Sequence, residues 1–338
     1  MGKRIIKALT SPSPRYACQK VYNRLSPFIK SDEKAVKINY WLTMGKKLDL
    51  EHPVSFNEKL QWLKVNLRHP EFTEMVDKAE AKNIARRLMG DEYIVPTYGV
   101  WNSFDDIDFS QLPNQFVLKC THNSGGTVIC RDKATFNKVK AKKILNACLS
   151  KNPYWATREY PYKEVKPRII AEKFMSDGRT KVSGLTDYKF FCFSGGVKFL
   201  YVSQGLDHHE TASISFYDLN GERLPFKRSD YKAIEHFEKP SCFDEMVGLA
   251  KKVAKQLNLP FIRIDLYEVH GHIYFSEFTF FPCSGCLPFE PAEWDDTIGN
   301  WLKLSEEQNH GQQNHQGFGK SEVCGTCRHA QTVTIHKK

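Results

Sequence analysis

The stretch from Phe261 to Phe281 constrains the fold more than any other. Phe261–Tyr267 and Ile273–Phe281 flank Val269-His270-Gly271-His272 and predict a β-hairpin. Centred on Gly271, an antiparallel hairpin sets Arg263 opposite Thr279 and Asp265 opposite Glu277. Period-two alternation puts all four on one sheet face. Ile262, Ile264, Leu266, Phe278 and Phe280 form the other face, which reads as core. Two carboxylates directly opposite each other repel and destabilise a sheet. A divalent cation between them is the natural compensation, and hard oxygen ligands suit Mg²⁺, which shares its shell with phosphate oxygens and water. Arg263, one step along the strand, would hold a phosphoryl group or a developing oxyanion. The plainer alternative is a solvent-facing hairpin with unrelated acids; Tyr267 and Phe275, read as lying on the same face, speak against full exposure.

Three weaker features precede the hairpin. Lys119 ends the apolar strand Phe116–Cys120, five residues before Ser124-Gly125-Gly126, and Thr127–Cys130 resumes the pattern as a hairpin. Glycines let backbone amides approach phosphate oxygens, and lysine adds a compact charge. No G-K-[ST] follows, so this is not a Walker A loop, and Gly-Gly between strands can be simply a turn. The strand Arg168–Met175 carries Glu172, with free backbone at Lys173 and Met175 that would read a purine edge. Asp187 and Lys189 alternate on one face of Asp187–Phe193, suited to a ribose and a phosphate or to each other.

The rest of the chain frames these pieces. Ser55-Phe56-Asn57-Glu58 has the form of a capping box, and Leu60, Leu63 and Leu67 follow at helical spacing. A second helix is expected from about Asp77 to Met89, stopped by Gly90. Further helices are expected over 134–149 and Asp244–Leu257, and Tyr154–Pro167 reads as a linker. Asp187–Phe193 and Val197–Val202 form another hairpin across Ser194-Gly195-Gly196. Gln, Asn, His and Gly dominate 308–320, which reads as a disordered tail.

The 49 Lys and Arg against 39 Asp and Glu give a net charge of +10. Residues 1–50 hold 11 basic and 3 acidic side chains, so +8 lies ahead of every feature above. Tyr16, Tyr22, Phe28, Tyr40 and Trp41 interleave with that charge but read as core contacts, against a nucleic-acid surface. No run of roughly 18 apolar residues predicts a spanning helix. Met1–Tyr16 has no apolar stretch suited to a signal peptide, and Ile6 stands where myristoylation wants Ser or Thr. The ten cysteines then read mostly as buried thiols in a reducing compartment. Cys283-x-x-Cys286 and Cys324-x-x-Cys327, with His329 nearby, have zinc half-site spacing. One pair follows Glu277 and the other lies in the tail, which disfavours a shared ion.

In this order the pieces resemble the ATP-grasp superfamily. Asp77-Lys78, with Lys82 and then Pro96, is similar to its first-lysine stretch; Phe116–Gly126 to its second-lysine strand and phosphate loop; Glu172-Lys173-Phe174-Met175 to its adenine hinge. Arg263-Ile264-Asp265 and Glu277-Phe278-Thr279 resemble its metal motifs. Pro53–Lys64, Asp187-Tyr188-Lys189-Phe190 and Arg263–Gly285 narrow the resemblance to the TupA-like (teichuronopeptide-biosynthesis) branch, over about 38–304.

The resemblance implies an α+β fold, with two subdomains of antiparallel sheet clasping ATP. The basic helical extension occupies 1–70, the nucleotide subdomain 71–170, the metal subdomain 171–304 and the tail 305–338. Lys78 and Lys119 would contact ATP phosphates, with Ser124, Gly125 and Gly126 closing over them. Glu172 and the backbone of Lys173 and Met175 would hold adenine, and Asp187 the ribose. Asp265 and Glu277 would bind Mg²⁺, with Thr279 standing where the usual ligand is Asn. Arg263 would be catalytic, and Lys189 would lie near phosphate or substrate. The region before Lys78 looks too helical for the usual pre-domain.

The implied reaction joins a carboxylate, here of a uronic or similar sugar acid, to an amine through an acylphosphate. Surface polysaccharide assembly on the cytosolic side, with a membrane or assembly partner held by residues 1–50, is the implied setting. The rivals are a sugar or small-molecule kinase on the same fold, a glycosyltransferase, and a non-enzymatic binder of anionic polymer.

Overall fold

The computed structural model describes residues 14–178, 185–205 and 212–304. The expected tail, Cys324, Cys327 and the Met1-Gly2 terminus lie outside them. Two antiparallel sheets organise the chain. The first contains β1 (Thr97–Trp101), β2 (Phe116–Cys120), β3 (Val128–Cys130) and β4 (Ile169–Lys173), in the order β1-β4-β2-β3. The second contains β5 (Asp187–Phe193), β6 (Gly196–Gln204), β7 (Ser213–Tyr217), β9 (Phe261–Val269) and β10 (His272–Thr279), in the order β10-β9-β5-β6-β7. A short ribbon pairs β8 (Lys227–Arg228) with β11 (Phe289–Glu290).

Each sheet has its own helix and core. Helix Lys138–Leu149 presents Ala141, Leu145 and Cys148 to Phe116, Leu118 and Ile169 of the smaller sheet. Helix Phe243–Leu257 buries Val247, Ala250, Val253, Ala254 and Leu257, the face its periodicity predicts, in the core of the larger sheet. The expected capping box is present: Ser55 Oγ accepts from Glu58 N, and Glu58 accepts from Ser55 N. It starts helix Phe56–Asn66, whose Phe56 ring lies 5.0 Å from Phe261 and 5.8 Å from Phe193. This helix, read from sequence as N-terminal, is built into the core of the larger sheet. Ahead of Lys78 the described residues form helices and no strand.

The decisive hairpin reaches its register by a detour. The turn is the two-residue His270-Gly271, both at positive φ (54° and 82°), as tight hairpin turns require. It pairs His272 with Val269 and Phe275 with Leu266, one residue away from a hairpin centred on Gly271. A bulge between Phe275 and Glu277 then absorbs one residue, so Glu277 pairs with Asp265 and Thr279 with Arg263. Phe275 is therefore a correction: it is buried on the core side, 4.7 Å from Phe278, not on the polar face.

Two other expectations change. Tyr154–Pro167 is partly helical, with Tyr154–Thr157 and a 3-10 turn at Tyr160–Tyr162. Its Arg158 and Tyr154 grip Asp32 at 3.0 and 2.8 Å, and Arg158 also donates to Ile29 O at 3.0 Å, so the N-terminal helices are docked. Those helices, Pro14–Leu25 and Asp32–Met44, bury Tyr22 and Tyr40, but Phe28 and Trp41 face solvent. No described helix is long and apolar enough to cross a membrane.

Candidate active site

A cavity of about 420 Å³ opens between the two sheets. Lys78, Lys119, Glu172, Met175, Asp187 and Glu277 line it, with Lys173 at the hinge edge. Residues far apart in the chain, from Lys78 to Glu277, thus meet around one space. Ser124, Gly125 and Gly126 sit in the β2–β3 connection beside it, where Thr127 reaches the wall. Gly126 has φ +74°, and a Cβ there would lie 2.6 Å from Cys148 Sγ, so this position requires glycine.

At the hinge end, Glu172 is buried on β4 between two lysines. Lys119 Nζ lies 2.8 Å from Glu172 Oε2, and Lys82 contacts Oε1. Burial alone would raise the Glu172 carboxyl; the two ammonium groups outweigh it and pull it down to about 2. The carboxylate is therefore engaged in holding lysines. The Lys173 amide is not free either: it donates to Pro96 O at 2.9 Å. Lys78 Nζ donates to Asn123 O at 3.0 Å and stands 4.0 Å from Glu277 Oε2 across the cavity.

At the hairpin end, Asp265 is fully buried. Its Oδ1 accepts from Arg263 Nε at 2.7 Å, and its Oδ2 accepts from Arg263 Nη2 at 2.6 Å and Lys189 Nζ at 2.7 Å. Burial pushes this carboxyl up, but Arg263 and Lys189 prevail and hold it below the usual range. Lys189 also lies 3.2 Å from Asp187, whose carboxyl burial raises. Compensation for the facing acids is thus already supplied by two protein cations, a correction to the argument that repulsion calls for a metal. Glu277 is different. It is half-buried, 3.5 Å from Arg263, with Oε1 accepting from Thr279 Oγ1 at 3.4 Å. Thr279 Oγ1 in turn accepts from Arg263 at 3.0 Å.

This donor set fits Mg²⁺. Half-buried Glu277 lines the cavity and offers a hard carboxylate oxygen, and behind it Asp265 Oδ1, buried off the lining, accepts one hydrogen bond and so has room for a second partner. Among the described residues no cluster of three or more His, Cys, Asp or Glu suited to a metal includes Cys283 or Cys286, and the second half of that zinc spacing, Cys324 and Cys327, lies outside them. Gln61 instead reaches Cys286 Sγ at 3.6 Å.

Sequence reading gave no role to three side chains of the site. Lys82 donates to Val95 O and Thr97 Oγ1, both at 2.8 Å, as it holds Glu172. Its spacing of four from Lys78 was the available signal. Arg168 lies 2.9 Å from both Asp77 and Glu80, fixing the turn that carries Lys78. Tyr201, the strand partner of Lys189, accepts from Arg263 at 3.2 Å. Nothing local marks the last two.

Solved structures of similar shape include D-alanine–D-alanine ligase from Bacillus anthracis complexed with ATP, at 16% identity and TM-score 0.36, covering 61% of this chain and 55% of that one. L-amino acid ligase from Bacillus licheniformis matches at 12% and 0.39, covering 88% and 64%. An ADP complex of N5-carboxyaminoimidazole ribonucleotide synthetase matches at 15% and 0.40, covering 74% and 57%. The chain thus spans under two thirds of the length of these structures. No curated protein matches it. The sequence pattern described as TupA-like ATPgrasp matches residues 58–303, from the capped helix through the hairpin and its following loop. With two lysine-bearing antiparallel sheets around one cavity and that match over most of its length, the chain belongs to the TupA-like ATP-grasp family.

Proposed function

We propose that the protein is an ATP- and Mg²⁺-dependent ligase that joins a carboxylate to an amine. The observation that carries this reading is the asymmetry among its acids. Glu172 and Asp265 are gripped by cations at close range, whereas half-buried Glu277 stands off its own, 3.5 Å from Arg263 and 4.0 Å from Lys78 across the cavity. Lys78 and Lys119 would bind ATP phosphates, and the amides around Gly125 and Gly126 would approach them closely. The Glu172 carboxylate holds Lys119 at the cavity wall, where a phosphate can share it. The hinge backbone near Met175 would take adenine and Asp187 the ribose. Glu277, Asp265 and Thr279 would hold Mg²⁺, which when bound neutralises charge on the phosphates. Arg263, fixed by Asp265 and Tyr201, would donate to the transferred phosphoryl group or to the tetrahedral oxyanion. The γ-phosphoryl passes to the substrate carboxylate, and the amine then displaces phosphate.

The family supports surface polysaccharide assembly as the setting, with the carboxylate on a uronic or similar sugar acid. The basic N-terminal residues support work at the cytosolic membrane face or beside an assembly partner. The test is Mg²⁺-dependent ATP consumption across candidate acids and amines, with ADP and phosphate as products. AMP and pyrophosphate would overturn the scheme, and a stable phosphorylated product would make the enzyme a kinase. Glu277→Gln should cut turnover by more than about 100-fold while near-UV circular dichroism is retained; unchanged turnover would reject the site.

A further inference from the structure

The two N-terminal helices carry an exposed surface that the catalytic reading does not use. Five of the twelve large apolar side chains exposed among the described residues fall between positions 21 and 41. They are Val21 (58% exposed), Leu25 (52%), Phe28 (80%), Ile38 (42%) and Trp41 (54%). They form stripes rather than scatter. Val21 and Leu25 follow i, i+4 on helix Pro14–Leu25, and Phe28 closes the 3-10 turn Ser26–Phe28 that continues it, while Tyr22 and Ser26 are buried. Ile38 and Trp41 follow i, i+3, away from the buried Ala35, Asn39 and Leu42.

Cations flank both stripes. Arg24 lies beside Leu25, and Lys34 lies one turn before Ile38. Arg24, Lys30, Lys34, Lys46 and Lys47 have no ion-pair partner within 4 Å among the described residues, and all five are exposed.

We propose that this surface seats the protein on an anionic lipid bilayer. The inference deepens the surface role given above to residues 1–50. Charge complementarity selects acidic headgroups, and the stripes select a bilayer over a dissolved polyanion. Apolar side chains gain nothing from a hydrated acidic glycan, whereas an interface takes phenyl, indole and aliphatic groups while cations meet the headgroups. Contacts beneath the two helices fix the orientation of this surface. Tyr22 donates to Ala35 O at 3.1 Å, and Asp32 is pinned by Arg68 at 2.7 Å and by Arg158. Arg158 also binds Ser26 O, so truncation would strand a buried guanidinium, and point variants are the proper probe.

The full chain would be sedimented with phosphatidylglycerol–phosphatidylcholine vesicles and with phosphatidylcholine vesicles alone. Binding is expected on the acidic vesicles, weakened about tenfold or more by Phe28→Ser with Trp41→Ser, and likewise by Arg24→Glu with Lys34→Glu. ATP binding by the same variants should be unchanged. Vesicle binding with no nucleotide binding would leave this inference standing and sink the ligase reading. Nucleotide binding with no preference for acidic vesicles would do the reverse. Failure of the serine pair to weaken binding would overturn the apolar half of the contact. A concentration-dependent dimer that the serine pair dissolves, without vesicle binding, would assign the surface to a second copy instead.

Discussion

Glu172 and Asp265 are both buried carboxylates held by two cations, but their cations arrive by different routes. Arg263 and Lys189 reach Asp265 within one sheet: Arg263 is two residues along β9, and Lys189 is the register partner on β5. Alternation and pairing alone place these groups. Glu172 draws Lys119 from β2 and Lys82 from helix Glu80–Leu88, so its cluster exists only once a helix has docked on the sheet. The hairpin end is therefore a rigid platform from which Arg263 can act. The hinge end is a tertiary clamp whose Lys119 remains partly accessible from the cavity.

Four substitutions test this contrast. Asp265→Asn should have the largest effect. It leaves Arg263 and Lys189 buried with their main counter-charge gone, which costs about 3–5 kcal/mol in urea unfolding. A loss under about 1 kcal/mol would mean that Asp187 and Glu277 take over, and that the platform is not rigid. Glu172→Gln comes next, at roughly 3 kcal/mol near neutral pH, from a carboxyl lowered from 4.5 to about 2. Because that carboxyl is depressed, its stabilisation is present above the unfolded value and fades as pH falls toward 2. The gap between wild type and variant should narrow between pH 4.5 and the acid limit; a constant gap would deny the clamp its ionic character. The smallest effect concerns the loop beside the clamp. Gly126→Ala must adopt φ +74° and collide with Cys148, costing about 1–2 kcal/mol or more. Gly125→Ala, with nothing within 4 Å of its added Cβ, should be near neutral in the same urea unfolding. Equal losses would place the constraint on the whole loop.

Legibility followed the same division. The Arg263–Asp265–Glu277–Thr279 face was readable because strand periodicity and hairpin pairing are local. Even so, its agreement with a simple centre at Gly271 depended on two offsetting features, a two-residue turn and a bulge at Ser276. The misplacement of Phe275 is the trace of that detour. Helix Phe56–Asn66 was readable as a capped helix, yet its place in the core of a sheet more than a hundred residues later was not, because apolar periodicity gives a face without naming its partner. The N-terminal aromatics erred for the same reason. Tyr22 and Phe28 look alike in sequence, and only the packing of helix on helix separates a buried ring from an exposed one.

Sequence by itself determined the capped and amphipathic helices, the strands flanking the site, the polar face of the final hairpin and the family, but not strands β1 and β7 or the helical turns within Tyr154–Pro167. The features it determined follow from backbone periodicity, capping and turn chemistry, which act over a few residues. The tertiary structure decided which acid stays open to the cavity. Whether Glu277, Glu172 or Asp265 is clamped depends on cations brought from other elements, and electrostatic pairing at 2.6–2.8 Å is fixed only when those elements pack.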